Sequence, residues 1–191
     1  MKRIIIFASG SGSNAENIIT YFQQRESASV VLVMTNNPHA KVLNRCKRLN
    51  TSALSFNKTA FNKEGVVHTL LKEINPDLIV LAGFLWKIPE HLINEFPEKI
   101  INIHPALLPK YGGKGMYGMR VHEAIKANND TETGITIHRV NEHYDEGAII
   151  FQVKCAISKE DTPENIASKI HALEMAHFPM VIESILLSPN V

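Results

Sequence analysis

The chain has 191 residues, with 20 Lys and Arg against 19 Asp and Glu, a formal net charge of +1. That length suits one well-buried core, and the balanced charge argues against wholesale binding to nucleic acid or an anionic membrane, so any anion recognition must be local. The two cysteines, Cys46 and Cys155, are far apart and form no Cys-x-x-Cys pair, which excludes a zinc-site spacing and a disulfide framework and predicts two buried thiols in a reducing compartment.

Lys2 and Arg3 precede an apolar run, but Ile4 to Ala8 is too short for a signal-peptide core, and no apolar stretch is expected to span a bilayer. A cytoplasmic protein is the expectation. Arg3 to Ala8 reads as a strand buried on both faces of a parallel sheet. Ser9-Gly-Ser-Gly-Ser-Asn14 breaks it, and a helix from Asn14 to Gln24 follows, with Ile18, Ile19 and Phe22 at helical spacing. Ser29 to Thr35 is the second strand, closed by an Asn36-Asn-Pro38 turn. A helix over 41–48, a short strand over 53–56 and a helix from Thr59 to Ile74 come next, with Pro76 ending the last. Asp77 to Ala82 is another buried strand, and Pro89 opens a short helix through Phe96.

Ile100 to Pro109, Ile-Ile-Asn-Ile-His-Pro-Ala-Leu-Leu-Pro, is the stretch that organises the rest: a strand that delivers Asn102 and His104 on one face at its carboxyl end. The alternation of strands and helices up to here predicts an α/β fold with an open, mostly parallel, doubly wound sheet, whose ligand crevice lies outside the strand ends. Lys110 to Met119 is a glycine-rich loop long enough to be functional. A helix from about Arg120 to Asn128 follows. Gly134 to Val140 and Ala148 to Ile157 read as an antiparallel pair, and Thr162-Pro163-Glu164 starts a last helix that Pro179 is expected to kink. No linker divides the chain, so residues 1–191 are expected to be one domain of two halves, about 1–100 with the glycine-rich turn and about 101–191 with Asn102, His104 and Asp145.

The Gly10-x-Gly12 turn presents backbone N–H groups at a helix N-terminus, a phosphate site by its physics. It lacks the third glycine of the dinucleotide fingerprint and the lysine of a Walker loop. Asn102 can donate to an oxyanion while a carbonyl becomes tetrahedral, and His104 can protonate or polarise the same oxygen. A lone Asn-x-His is more often structural. Asp145, in Asn141-Glu-His-Tyr-Asp-Glu-Gly147, is either an ordinary turn residue or a carboxylate returned beside His104 to orient it and raise its pKa. His122-Glu-Ala-Ile-Lys126 starts like a zincin helix but carries Lys126 in place of the second His, so no metal is expected. His138 shares a strand face with Thr136 and Val140 and is read as supporting the site from behind.

With those residues in order, the chain resembles the phosphoribosylglycinamide formyltransferase family almost end to end. The resemblance rests on Gly10-Ser-Gly-Ser-Asn14, Leu81-Ala-Gly-Phe84, Asn102-Ile-His-Pro-Ala-Leu-Leu-Pro-Lys-Tyr111, Gly134-Ile-Thr-Ile-His138 and Asp145-Glu-Gly147. It implies a Rossmann-like formyltransferase fold and transfer of a formyl group from 10-formyltetrahydrofolate to glycinamide ribotide in purine synthesis. It implies that Asn102, protonated His104 and Asp145 are catalytic, that Gly12, Ser13 and Asn14 hold the substrate phosphate, and that Glu174 contacts the ribotide. Folate contacts are implied for Lys63, Leu85, Trp86, Lys87, Ile88, Asn102, Val140, Asn141 and Tyr144, with Thr136 and His138 behind them. Trp86-Lys87 stands where many relatives have Arg and an aliphatic residue, and the Gly112 to Met119 loop is longer than the family's. The partners implied are small molecules, with no metal, nucleic acid or membrane, in a monomer or homodimer. Two other readings differ in chemistry: a formylfolate deformylase or a transferase to another amine, whose relatives usually carry an extra domain, and a non-catalytic nucleotide-binding module.

Overall fold

The structure is a computed structural model that describes residues 1–63 and 65–188. Its strands and helices alternate as β1 (Lys2–Phe7), α1 (Ser13–Gln23), β2 (Ala28–Thr35), α2 (Lys41–Arg48), β3 (Ala53–Ser55), α3 (Val66–Ile74), β4 (Leu78–Leu81), α4 (Glu90–Glu95) and β5 (Ile100–His104). After them come α5 (Met119–Ala127), β6 (Glu132–Arg139), β7 (Ile149–Ala156) and α6 (Pro163–Leu187). The seven strands form one sheet in the order β3-β2-β1-β4-β5-β6-β7. The pairs among β1 to β5 are parallel, while β6 runs antiparallel to both β5 and β7. This is the mostly parallel, doubly wound sheet that the sequence predicts, with its antiparallel strands in the C-terminal half. Strand order reverses between β1 and β4, and the carboxyl ends of those strands frame a crevice.

Side chains alternate between two cores. Ile4 and Ile6 of β1 pack with α1, α2, α5 and α6, including Ile18, Val42, Val121, Ile170 and Phe178. Ile5 and Phe7 face the opposite layer, with Leu71, Leu92 and an aromatic group of Phe56, Phe61, Phe84 and Trp86. Both layers are needed because every residue from Ile4 to Phe7 is buried.

Three expectations need correction. The helix expected from Thr59 begins at Val66; residue 64 lies outside the described residues. Asn57 caps a separate turn by accepting from the Ala60 N–H (2.9 Å), and the chain packs so closely that a Cβ on Gly65 would lie 2.2 Å from the Ala60 carbonyl oxygen. Cys46 is buried but Cys155 only half-buried: it faces the core from β7, which lies at the edge of the sheet and is covered less completely. A stretch long and apolar enough to cross a membrane does exist in α6, at 25 residues; its Ile166, Ile170, Phe178, Ile182 and Leu186 are buried in the core. Pro179 lies inside α6, which continues past it to Leu187. A proline there leaves the Met175 carbonyl without its usual i+4 donor. Asn17 of α1 supplies one instead, donating from Nδ2 at 2.8 Å.

Candidate active site

A cavity of about 870 Å³ opens at the carboxyl ends of β1, β4 and β5, a volume in the range of small-ligand sites. Its floor is built by strand register. Antiparallel pairing sets Asn102 of β5 opposite His138 of β6, and His104 opposite Thr136, so Asn102 and His138 stand side by side on one face. Asn102 Nδ2 lies 3.1 Å from His138 Nε2 and donates to Asp145 Oδ1 at 3.5 Å. Asp145 Oδ2 lies 3.6 Å from His104 Nδ1 and accepts the Gly113 N–H at 2.8 Å.

The loop between β6 and β7 returns Asp145 to this floor by a left-handed turn. Asp145 itself has φ of 58°, and two residues on, Gly147 passes the Arg139 carbonyl so closely that a Cβ would sit 1.8 Å from its oxygen. Thr136 lies behind the floor. Its Oγ1 donates to the Ala106 carbonyl (2.7 Å) and accepts the Leu108 N–H (3.0 Å), which fixes the chain just after His104.

His104 is 3% exposed. Burial pushes its pKa below the ordinary 6.5, and although the Asp145 charge raises it, burial prevails. The expectation that Asp145 raises the His104 pKa is corrected in its net result: the Asp145 charge acts in that direction, but burial outweighs it, which favours the neutral imidazole in the resting site. Burial also pushes the Asp145 carboxyl up, but His138, the charge of His104 and the Gly113 N–H together hold it below 3.8. Asp145 is an anion, half-buried at the cavity floor.

The opposite wall is the turn after β1. Gly12 caps α1 with φ of 74°, and no side chain caps the helix, so its first N–H groups are available to an anion. The turn is locked from two sides: Ser9 Oγ accepts the Leu85 N–H (2.9 Å), and Arg45 Nε donates to the Ser11 carbonyl (2.8 Å). Glu16, in the first turn of α1, pairs with both Arg45 and Arg48, which offsets a charge that would repel an anion. Asn14 donates from Nδ2 to Glu174 of α6 at 2.9 Å. Burial pushes the Glu174 pKa above 4.5, against the lowering effects of Asn14 and His171.

Leu85, Trp86, Lys87 and Ile88 line the third side of the cavity, facing Val140, Asn141 and Tyr144. Trp86 packs on Phe56 and Phe61, with ring centroids 5.9 and 6.0 Å away, and Lys58 Nζ stands 5.6 Å over its ring. Lys87 Nζ lies 5.7 Å over the ring of Tyr144. Every predicted site residue is thus at the cavity or directly behind it, save Lys63, which is not among the lining residues and whose carbonyl contacts His68 Nδ1 (2.6 Å). The sequence reasoning missed His122, Arg120 and His171, which also line the cavity. His122 had been weighed only as a metal ligand, and no group of three His, Cys, Asp or Glu side chains among the described residues is arranged to hold a metal.

Comparison with known proteins decides the family, because the formyl transferase profile matches residues 2–182. The chain belongs to the formyl transferase family. A formyl transferase relative from Bacillus subtilis, named phosphoribosylglycinamide formyltransferase, is 37% identical over 97% of this chain and 95% of its own length. One of the same name from Escherichia coli is 30% identical over 94% of this chain and 84% of its own. A crystal structure of the phosphoribosylglycinamide formyltransferase from Bacillus halodurans superposes with a TM-score of 0.87 at 37% identity, covering 99% of this chain and 97% of that one. Membership of this family implies a folate-derived formyl donor.

Proposed function

We propose that this chain transfers the formyl group of 10-formyltetrahydrofolate to the amine of N1-(5-phosphoribosyl)glycinamide in purine biosynthesis. The observation that carries this reading is the convergence of Asn102, His104 and Asp145, within 3.6 Å of one another in sequence-distant pairs, on the floor between an anion-binding helix N-terminus and an apolar wall. The N–H groups of Gly12, Ser13 and Asn14 hold the phosphate, and Glu174 faces the ribotide. Leu85 to Ile88 with Val140, Asn141 and Tyr144 hold the folate. These anchors bring amine and formyl carbon together, an effect worth about 7–11 kcal/mol of barrier where alignment is good.

The neutral amine attacks the formyl carbon, and the carbonyl electron pair moves to oxygen. Asn102 donates an N–H to that oxyanion. Neutral His104 takes the proton that the amine must lose, and the imidazolium so formed is stabilised by ionised Asp145 beside the developing negative charge. Breakage of the carbon–N10 bond then returns the proton to the folate nitrogen. A resting neutral imidazole serves this sequence better than a resting cation, because only the neutral form can accept the proton. Both substrates are small molecules, and the reading places the reaction in the cytoplasm with no need of metal, nucleic acid or membrane.

The test is to incubate purified protein with formylfolate, with and without the ribotide, and follow formyl transfer and formate release. Ribotide-dependent transfer supports the reading; formate release that ignores the ribotide replaces it with a deformylase, and binding without turnover replaces it with a non-catalytic module.

A further inference from the structure

The His104 ring has a second contact, on the side away from Asp145. Its Nε2 lies 2.7 Å from the backbone carbonyl oxygen of Tyr111. A carbonyl can only accept, so Nε2 carries the hydrogen of the neutral ring and Nδ1 bears the lone pair, facing Asp145 at 3.6 Å.

The carbonyl reaches that position at a conformational cost. Tyr111 has φ of 58°, in the left-handed region that a non-glycine side chain disfavours; Gly113, two residues on, also has a positive φ, of 96°, but as a glycine adopts it at no steric cost. A strained residue persists only where its surroundings hold it, and the Tyr111 hydroxyl supplies the hold. It donates to Asp130 Oδ2 at 3.0 Å and accepts from Asn128 Nδ2 at 2.8 Å, so it is tied to the end of α5 from two directions. The ring packs partly buried against the main core. Two residues on, the Gly113 N–H holds Asp145, so one short segment fixes both partners of the His104–Asp145 pair.

We propose that Tyr111 is a positioning residue for formyl transfer: its anchored, left-handed backbone selects the Nε2–H tautomer of His104 and leaves Nδ1 as the nitrogen that accepts the proton of the attacking amine. This rests on the role given to His104 above. Tyr111 touches neither substrate; it acts through the imidazole.

The test pairs a spectroscopic readout with kinetics. Nitrogen-15 NMR of the ligand-free wild-type protein at about pH 8 should show a single His104 tautomer with Nδ1 unprotonated. Tyr111→Phe, which keeps the ring and removes the anchor, should give a mixture of tautomers and lower kcat about tenfold, with KM for both substrates within about twofold. Asp130→Ala should do the same from the other end of the bond. Because both variants break one anchor, the double variant should be little worse than the worse single. A wild-type ring with Nδ1 protonated overturns the proposal, as do variants that keep one tautomer and full kcat, or losses that multiply in the double variant. A variant that fails to fold is replaced by Asn128→Ala, with the same two readouts. If the wild-type protein shows the expected tautomer but transfers no formyl group to the ribotide, the functional reading has failed and the tautomer assignment stands.

Discussion

Gly12 and Gly10 lie in one turn and differ in what they permit, which makes a paired substitution informative. At Gly12 two independent costs meet. Its φ of 74° is left-handed, worth about 1–2 kcal/mol against any L side chain. A Cβ there would lie 2.4 Å from Val42 Cγ2 and 2.8 Å from Val42 Cα, and Val42 is fully buried, so crowding adds about 1–3 kcal/mol. Gly12→Ala should therefore lose about 2–5 kcal/mol, or roughly 4–20 °C in Tm for a chain of this size. Gly10 meets nothing within 4 Å, so Gly10→Ala should stay within about 0.5 kcal/mol of wild type. Urea denaturation measures both. The same displacement moves the first N–H groups of α1, so Gly12→Ala should also raise KM for the phosphorylated substrate far more than it lowers kcat. Adding Val42→Ala removes the Cγ2 contact but keeps Cβ and Cα of residue 42, 2.5 and 2.8 Å from the added Cβ, so the double variant should recover only part of the crowding cost. The reasoning is refuted if Gly12→Ala is as stable as wild type, or if Gly10→Ala matches its loss.

Three further outcomes are expected. Asn102→Ala should lower kcat by about 10²–10³, the usual effect of losing one oxyanion donor; stopped-flow or steady-state rates near wild type for both Asn102→Ala and Asp145→Ala in folded protein would remove the trio from the mechanism. Stability should fall on acidification from about pH 7 to 5, since buried His104 and His122 hold their pKa values below 6.5 in the folded state, and the unfolded chain therefore takes up more protons as pH drops. Asp145 adds a loss of the same sign at lower pH, because its folded value lies below the unfolded 3.8 and its contribution disappears as pH falls through the folded value. Thermal melts across this range should show the slope, and His104→Gln with His122→Gln should flatten its upper part. Asn17→Ala should cost about 1–3 kcal/mol by stranding the Met175 carbonyl, and much less in a Pro179→Ala background, where a helical N–H returns to that carbonyl; equal costs in the two backgrounds would sink the account of how Pro179 is tolerated.

What was legible in the sequence is what local chemistry dictates. Apolar runs flanked by glycine turns gave the strands, and two-residue spacing put Asn102 and His104 on one face. The family motifs, not the spacing alone, pointed to a catalytic role for that pair. Sequence reasoning erred where a competing interaction is non-local. The stripe from Phe61 to Ile74 reads as one helix, yet Phe61 joins the aromatic cluster through a separate turn capped by Asn57. Tyr111 looked like a loop residue because its partners, Asp130 and Asn128, lie beyond a whole helix. The sign of the His104 shift was missed because sequence shows the charged neighbour but not the depth of burial.

That last error points to how the cavity sorts its acids. Asp145 and Glu174 both line it, and burial is the largest influence on each, pushing both carboxyls up. Their neighbours decide the outcome. Asp145 receives His138, His104 and a backbone N–H, and ends below its ordinary value. Glu174 has the neutral Asn14 amide at 2.9 Å and His171 at 3.7 Å, the latter half-exposed, and ends above. One fold thereby keeps an anion beside His104, where the proposed reaction develops positive charge, and a carboxyl more readily protonated where that proposal seats the hydroxyl groups of the ribotide. Glu174→Gln, which mimics the protonated form, should consequently be milder on KM for the ribotide than Glu174→Ala, whereas Asp145→Asn should be nearly as damaging to kcat as Asp145→Ala. Steady-state kinetics of the four variants decide it, and an Asp145→Asn enzyme with wild-type kcat would show that the anion at that position is dispensable.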